Sequence, residues 1–212
     1  MTKRAVSPRT SKRALTRARL TEAALRLMAE RGINGTSVSE IAAEAALANG
    51  TFYLYFRDKS EIVAAVCQAV TLAMHNEMSS MRLSLEDGAA RVAFGTQQFI
   101  EIAAAEPNWG RLLVSAFTEF EAIRDDISRY LRMDVALGIE QGRFKEKVDE
   151  YVIDMLLAVL RAGVVSRLKD EDVDVAARAA EYHLRILGMS AEEAHSVRLA
   201  TDKAAARANA LL

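Results

Sequence analysis

The three histidines, His75, His183 and His195, lie far apart in the sequence, and no spacing around them suits enzyme chemistry. Glu192-x-x-His195 is a single Glu-x-x-His, whereas a di-iron bundle needs two such pairs and further carboxylates. There is no G-x-S-x-G nucleophile turn, no P-loop and no G-x-G-x-x-G. The expectation is no catalytic residue, no metal site, no cofactor and no enzymatic activity. Polar chemistry is concentrated elsewhere, at Asn49, Gly50, Thr51, Tyr53, Tyr55 and Lys59. An amide can bond adenine N6 and N7 together, and a threonine offers a methyl to thymine and a hydroxyl to a phosphate. A glycine lets backbone approach a groove closely, and tyrosine phenols donate to phosphate oxygens. A lysine at a helix start joins its charge to free N–H groups, a ready anion site.

Aiming those side chains in one direction takes a scaffold, and residues 37–59 read as a helix-turn-helix running into a further helix. Ser37 and Glu40 form an S-x-x-E capping box. Val38, Ile41, Ala42 and Ala45 follow at i, i+3, i+4 and i+7, one helix face. Ala46 and Leu47 make the turn, and Asn49 to Tyr55 is the expected recognition helix. Phe52 and Phe56 share its buried face, so Tyr53 and Tyr55 point elsewhere. Asp58 with Glu61 boxes the next helix, which starts at Lys59. A first helix over Leu15–Arg31 carries Leu20, Ala24, Leu27 and Met28 as its core stripe, with Gly32 as the left-handed residue beyond its end. Residues 1–14 read as a flexible basic arm. Seven basic residues and no acid stand before Thr21: Lys3, Arg4, Arg9, Lys12, Arg13, Arg17 and Arg19. Such a segment is either a solvated tail or an arm that follows DNA, and its adjacency to the helix-turn-helix favours the arm.

Ala23-Ala24, Glu30-Arg31-Gly32, Thr36-Ser37-Val38, Ile41-Ala42, Ala45 and the run Gly50-Thr51-Phe52-Tyr53-Leu54-Tyr55-Phe56 with Lys59 carry a family resemblance. The stretch from Leu15 to Val66, about fifty residues, resembles the N-terminal domain of the tetracycline-repressor (TetR) family of transcriptional regulators. Two positions depart from the family pattern: Ala46 stands where the turn usually has glycine, and Ala48 where a serine usually caps the recognition helix. With Ala48 unable to cap, Asn49 is the candidate to take over. The resemblance implies DNA contacts at Ser37, Ser39, Asn49, Gly50, Thr51, Tyr53, Tyr55 and Lys59. It also implies an effector pocket among the fourth to seventh helices. Met74, Met78, Phe99, Trp109, Leu113, Phe117 and Tyr130 are its candidate wall, since Met and aromatic side chains adapt to apolar ligands. Arg111, His75 and Glu119 are candidate polar anchors.

The rest of the chain has helical period and few breakers. Helices are expected at 59–82, 88–105, 107–116, 119–142, 148–168, from about 172 to 187, and from 190 to about 209. With half of its 212 residues apolar and two prolines, the chain is expected to be all-α. The expected organisation is a basic arm at 1–14, a helix-turn-helix DNA-binding domain at 15–60, and an effector-binding and dimerisation domain at 61–212. Residues 1–66 hold 11 Lys/Arg and 6 Asp/Glu, whereas 67–212 hold 17 and 23, so a basic head stands on an acidic body. One cysteine, Cys67, allows no intramolecular disulfide, and no apolar run is long enough to span a membrane. A cytoplasmic location is expected. The stripe with Val152, Met155, Val159 and Gly163, and the small-residue face with Ala177, Ala180 and Leu184, are too apolar for a monomer surface and are expected to form a homodimer interface. Together these features predict a ligand-responsive repressor that binds a palindromic double-stranded operator as a homodimer and is released by a small apolar effector. The alternative is a helical bundle that binds a small molecule or protein partner without DNA.

Overall fold

The computed structural model describes residues 8–119, 121–145, 147–169 and 174–209, excluding the side chains of residues 8–11, 117–119, 121–123, 126–127 and 207–209. The described residues form helices α1 (Pro8–Arg31), α2 (Val38–Glu44), α3 (Asn49–Phe52), α4 (Lys59–Ser84), α5 (Gly88–Ala105), α6 (Pro107–Glu119), α7 (Glu121–Glu140), α8 (Glu150–Leu168), α9 (Val175–Ile186) and α10 (Ala191–Asn209). No strand occurs among them. None of these helices is long and apolar enough to cross a membrane. The chain divides into two compact units, Met1–Ala69 and Val70–Leu212.

The first unit closes around side chains that recur at helical spacing. Leu20, Ala24, Leu27 and Met28 of α1 are buried, as are Ile41, Ala42 and Ala45 at α2, Phe52 and Phe56, and Ile62 and Val66 of α4. The first helix begins at Pro8 rather than Leu15. Proline at the first helical position lacks only an N–H that would go unpaired there. The expected flexible arm therefore holds seven helical residues, and its residues 1–7 lie outside those described. On α4 the buried stripe is Ile62, Val63, Val66, Cys67, Val70 and Met74, while Ala69 and Ala73 are exposed. The larger side chains win the inward face because each removes more apolar surface from water.

The second unit is built on α5, which packs against α6, α7, α8, α9 and α10. Its buried Val92, Phe94, Phe99, Ile100 and Ile102 supply apolar contact in several directions. Asp87 caps it by accepting from the N–H of Ala89 at 2.8 Å. Helix α8 presents Ile153, Leu156, Leu157, Leu160, Gly163 and Val164 to the interior, and α9 presents Ala176, Ala179, Ala180 and Leu184. This corrects part of the expected dimer interface. Ala180 and Leu184 are fully buried inside the unit. Gly163 is also spoken for, since a Cβ there would meet Ile100 Cδ1 at 2.5 Å. The close approach that glycine permits is made by α5 of the same chain. Val152, Met155, Val159 and Ala177 remain partly accessible.

Candidate nucleic-acid interface and effector cavity

In the first unit, local chemistry sets α2 and α3. Ser37 Oγ accepts from the N–H of Glu40 at 3.3 Å, and the N–H of Ser37 donates to Glu40 Oε2 at 2.8 Å. The Ser37 hydroxyl, which donates to Glu40 Oε2 at 2.7 Å, and then the Ser37 N–H hold the Glu40 carboxyl below its ordinary pKa. Ala46 occupies the left-handed region at φ +53°, where the chain reverses between the two helices. Ala48 is the N-cap of α3 and makes no side-chain cap hydrogen bond. Asn49 lies one residue inside the helix, does not take over the cap, and is exposed. The recognition helix itself is shorter than expected: regular α-helix ends at Phe52, and Tyr53–Tyr55 continue as turns through N–H bonds from Leu54 to Thr51 and from Tyr55 to Phe52.

Phe52 and Phe56 pack with ring centroids 5.6 Å apart and anchor this segment. Tyr53 meets Phe52 edge-on at 5.4 Å and remains exposed. Asp58 caps α4 by accepting from the N–H of Glu61, and Glu61 reaches back to the N–H of Arg57 rather than to that of Asp58. Ser37, Ser39, Asn49, Gly50 and Tyr53 are exposed, and Thr51, Tyr55 and Lys59 are half-buried. Among the eight candidate contacts none is buried, so all remain available to a ligand outside the chain. A Cβ on Gly50 would meet nothing within 4 Å, and its φ is not positive. Nothing inside the folded chain requires glycine there.

Three of the basic residues before Thr21, Arg13 of the expected arm and Arg17 and Arg19 of the first helix, have a structural role that their charge did not reveal. Arg13 lies over the Tyr55 ring at 5.6 Å and donates to the Leu54 carbonyl at 3.3 Å. Arg17 lies over Phe56 at 4.6 Å. Arg19 donates to the carbonyl of Ala45 at 2.7 Å, at the negative end of α2. The signal was present as arginine at i, i+4 and i+6 on a helix preceding an aromatic cluster, but nothing local says which arginine meets which ring.

The second unit contains a cavity of about 50 Å³ between α4, α5, α7, α8 and α9. Met78, Phe99 and Tyr130 of the expected pocket line it, as does His75. Met74 and Leu113 are buried in the core without lining it, and neither Trp109 nor Arg111 lines it. Arg111 instead bonds Asn108. The side chains of Phe117 and Glu119 lie outside the described residues. The polar lining was missed from sequence: Thr71, Arg82, Arg91, Thr96, Asp134 and His183. Thr71, His75, Met78 and Arg82 follow at i, i+4, i+7 and i+11, one stripe of α4, which was the available sign.

Arg82 and Asp134 form a buried ion pair, Nη1 to Oδ1 3.1 Å. Burial pushes the Asp134 carboxyl up to about 6 despite the opposing charges of Arg82 and Arg91. His75 stacks on Tyr130 at 3.4 Å with ring planes 8° apart, and burial, then the Arg82 charge, lowers its pKa. His183 is fully buried, and burial lowers it to about 4, so it is neutral. Its Nε2–H donates to the Leu156 carbonyl at 2.8 Å, which leaves Nδ1 as an acceptor 2.7 Å from the Thr96 hydroxyl, whose single proton is shared between Nδ1 and the Val92 carbonyl. No group of three or more His, Cys, Asp or Glu with metal-binding geometry occurs among the described residues.

Known proteins match both units. Residues 20–66 match the family of bacterial regulatory proteins, tetR family, and residues 87–199 match the tetracyclin repressor-like C-terminal domain. The crystal structure of RolR in complex with resorcinol is 28% identical, with 89% of this chain and 95% of that chain covered and a TM-score of 0.71. The fatty acid degradation regulator FadR from Bacillus halodurans is 22% identical over 82% of this chain and 98% of that chain, with a TM-score of 0.63. A putative tetR family regulator from Shewanella sp. PV-4 is 18% identical over 81% and 95%, with a TM-score of 0.66. The latter two likenesses concern the fold alone.

Proposed function

The chain belongs to the tetR family of bacterial regulatory proteins and is a DNA-binding, ligand-responsive transcriptional regulator, and from that premise we propose that it is a cytoplasmic homodimeric repressor of a palindromic operator, released when a small molecule fills the cavity of the second unit. The observation that carries the DNA part is the accessible set Asn49-Gly50-Thr51 with Tyr53 and Lys59, none of them buried, in which Gly50 answers to no neighbour within the chain. Asn49, unburdened by capping, reads a base edge; Ser37, Ser39, Thr51, Tyr53, Tyr55 and Lys59 hold phosphates. Arg13, Arg17 and Arg19 brace the reading segment from behind. A relative that binds resorcinol supports an effector of small-molecule size.

The dimer reading keeps α8 and α9 but uses their outer faces. Met155, Ala158, Val159 and Ala162 of α8 are accessible beside Tyr182 and Ile186 of α9. Two copies related by a two-fold axis bury such faces against each other. Val159→Arg places an unpaired charge there and is expected to give monomers in sedimentation.

Selection from random duplexes tests the whole reading. It should return a pseudo-palindrome with half-sites about one helical turn apart, ~34–36 Å or somewhat more. Affinity should fall steeply with salt as phosphate contacts release counterions. Asn49→Ala should relax the consensus by ~1–3 kcal/mol per lost base contact, and Lys59→Ala should weaken all sequences alike. No enrichment of any duplex would favour a bundle that works without DNA.

A further inference from the structure

Three buried side-chain polar atoms among the described residues have no hydrogen-bond partner: Thr71 Oγ1, His75 Nδ1 and Arg82 Nε. All three residues line the cavity of the second unit. Thr71 and Arg82 are 6% and 3% exposed, so bulk water does not satisfy them. A buried polar group without a partner is destabilising, and three in one cavity mark a site shaped for polar groups of a ligand. We propose that this cavity takes a single aromatic ring bearing two or more hydroxyl groups, which bond Thr71, His75 and Arg82. The proposal rests on the reading of this cavity as the effector site, and it names the chemistry of the effector.

Hydroxyls fit where carboxylates and plain hydrocarbons do not. Arg82 Nε–H donates, neutral Asp134 or its carboxylate offers lone pairs, and the Thr71 hydroxyl and neutral His75 ring can do either according to rotor and tautomer. A hydroxyl both donates and accepts, so it serves each of these groups. A carboxylate only accepts, and the ionised Asp134 in the same lining repels it. The charge of Arg82 is matched by Asp134, while Arg91 donates to the neutral carbonyls of Leu85 and Leu83 and keeps its charge, so benzoate is the comparison that decides between the two chemistries. Thr71 and His75 lie one turn apart on α4, and the Arg82 guanidinium turns back over the Tyr130 ring, 5.7 Å from its centroid, on which His75 stacks, so the three groups lie nearer one another than their places on α4 suggest and separate hydroxyls of one ring serve them. A hydrocarbon would leave all three atoms orphaned.

The walls set the rest of the ligand. Met78, Phe99, Leu131 and Leu160 are apolar, and the stacked His75–Tyr130 pair adds a flat surface. The cavity of about 50 Å³ is smaller than the ~150 Å³ that holds benzene, so even one ring needs Met78, the most flexible wall residue, to move. At Gly95 an added Cβ would meet only Asp134 Oδ2, at 4.0 Å. The floor of the cavity is open there, and a larger side chain would fill it.

The test is equilibrium dialysis of the full chain with catechol, hydroquinone, benzene and benzoate, alongside thermal melts and operator binding. The dihydroxybenzenes should bind at least about tenfold more tightly than benzene or benzoate. Thr71→Val should weaken them about tenfold while leaving the melting temperature of the free protein unchanged or higher, because a methyl replaces an unsatisfied hydroxyl. A purely structural Thr71 would move the melt downwards and leave ligand affinity alone. Gly95→Leu should abolish binding with the fold intact. Equal affinity for benzene, preference for benzoate, or no binding of either dihydroxybenzene to a protein that still holds its operator would overturn the proposal and leave the regulator reading standing. A protein that binds these rings yet selects no duplex would overturn that reading and leave the ligand assignment standing.

Discussion

Ala46 holds a backbone conformation that its methyl group disfavours. At φ +53° the penalty for a non-glycine residue is ~1–2 kcal/mol. The turn persists because Ile41, Ala42 and Ala45 on one side and Phe52 on the other bury their side chains only if the chain reverses there. Ala46→Gly should therefore raise unfolding free energy by ~1 kcal/mol in denaturant titration without altering DNA affinity. Gly50→Ala offers the opposite test at a neighbouring position. A helical glycine replaced by alanine gains up to ~1 kcal/mol, and the new methyl has open space within the chain. The variant should be as stable as the parent or more so, yet bind its operator more weakly. Unchanged operator affinity would mean that backbone at residue 50 does not approach the duplex.

At the scale of elements, α4 and α7 are tied by one buried ion pair. Arg82 and Asp134 lie on different helices, 52 residues apart, with Nη1 and Oδ1 at 3.1 Å. Removing one partner leaves a buried charge without its counter-charge, which typically costs 3–5 kcal/mol, whereas replacing both by apolar side chains is often neutral. Asp134→Leu alone should lower stability by ~3 kcal/mol or more, and Arg82→Met with Asp134→Leu should recover most of it, read by urea unfolding. A double variant as unstable as the single one would show that the pair holds the helices through geometry that apolar packing cannot replace. The pairing of α5 with α8 rests on shape instead. Gly163 lets Ile100 approach so closely that even a Cβ would make its Cδ1 shift, and Gly163 is buried, so Gly163→Arg disrupts the protomer interior and cannot serve as a probe of dimerisation.

For the molecule as a whole, two buried titrating groups push stability in opposite directions with pH. His183 is held down to about 4 by burial. The unfolded chain, with an ordinary value near 6.5, takes up a proton that the folded chain refuses. The stability it contributes is complete above about 6.5 and is lost as pH falls through about 4, on the order of 3 kcal/mol. Asp134 is raised to about 6 from 3.8, so the folded chain binds its proton first. Its contribution is complete below about 3.8 and is lost as pH rises through about 6. Urea unfolding at pH 7 and pH 4.5 should show a smaller acid-side loss for His183→Gln than for the parent, and a larger one for the Arg82→Met/Asp134→Leu pair. Identical losses in all three proteins would assign the acid response to other groups.

Much of this was legible from short windows of sequence. The capping box at Ser37–Glu40, the stripe Leu20–Ala24–Leu27–Met28, the buried Phe52–Phe56 pair and the starts of α4, α5 and α6 depend on residues within about a dozen positions. Hydrophobic period and capping chemistry act at that range. The accessible candidates between Asn49 and Lys59 were legible for the same reason, since burying Phe52 and Phe56 turns their neighbours to other faces. Other features required the folded chain. Alternation alone did not decide which stripe of α8 turns inward, because Met155 and Val159 are as apolar as Ile153 and Leu157; packing on α5 chose the latter. The length of the recognition helix was settled by turn bonds after Phe52, and the start of α1 by Pro8. The polar lining of the cavity joins Thr71, His75 and Arg82 to Asp134, and Thr96 to a histidine 87 residues away. No local pattern encodes such convergence, because it arises only when helices distant in sequence bury their apolar faces against one another and carry these side chains together.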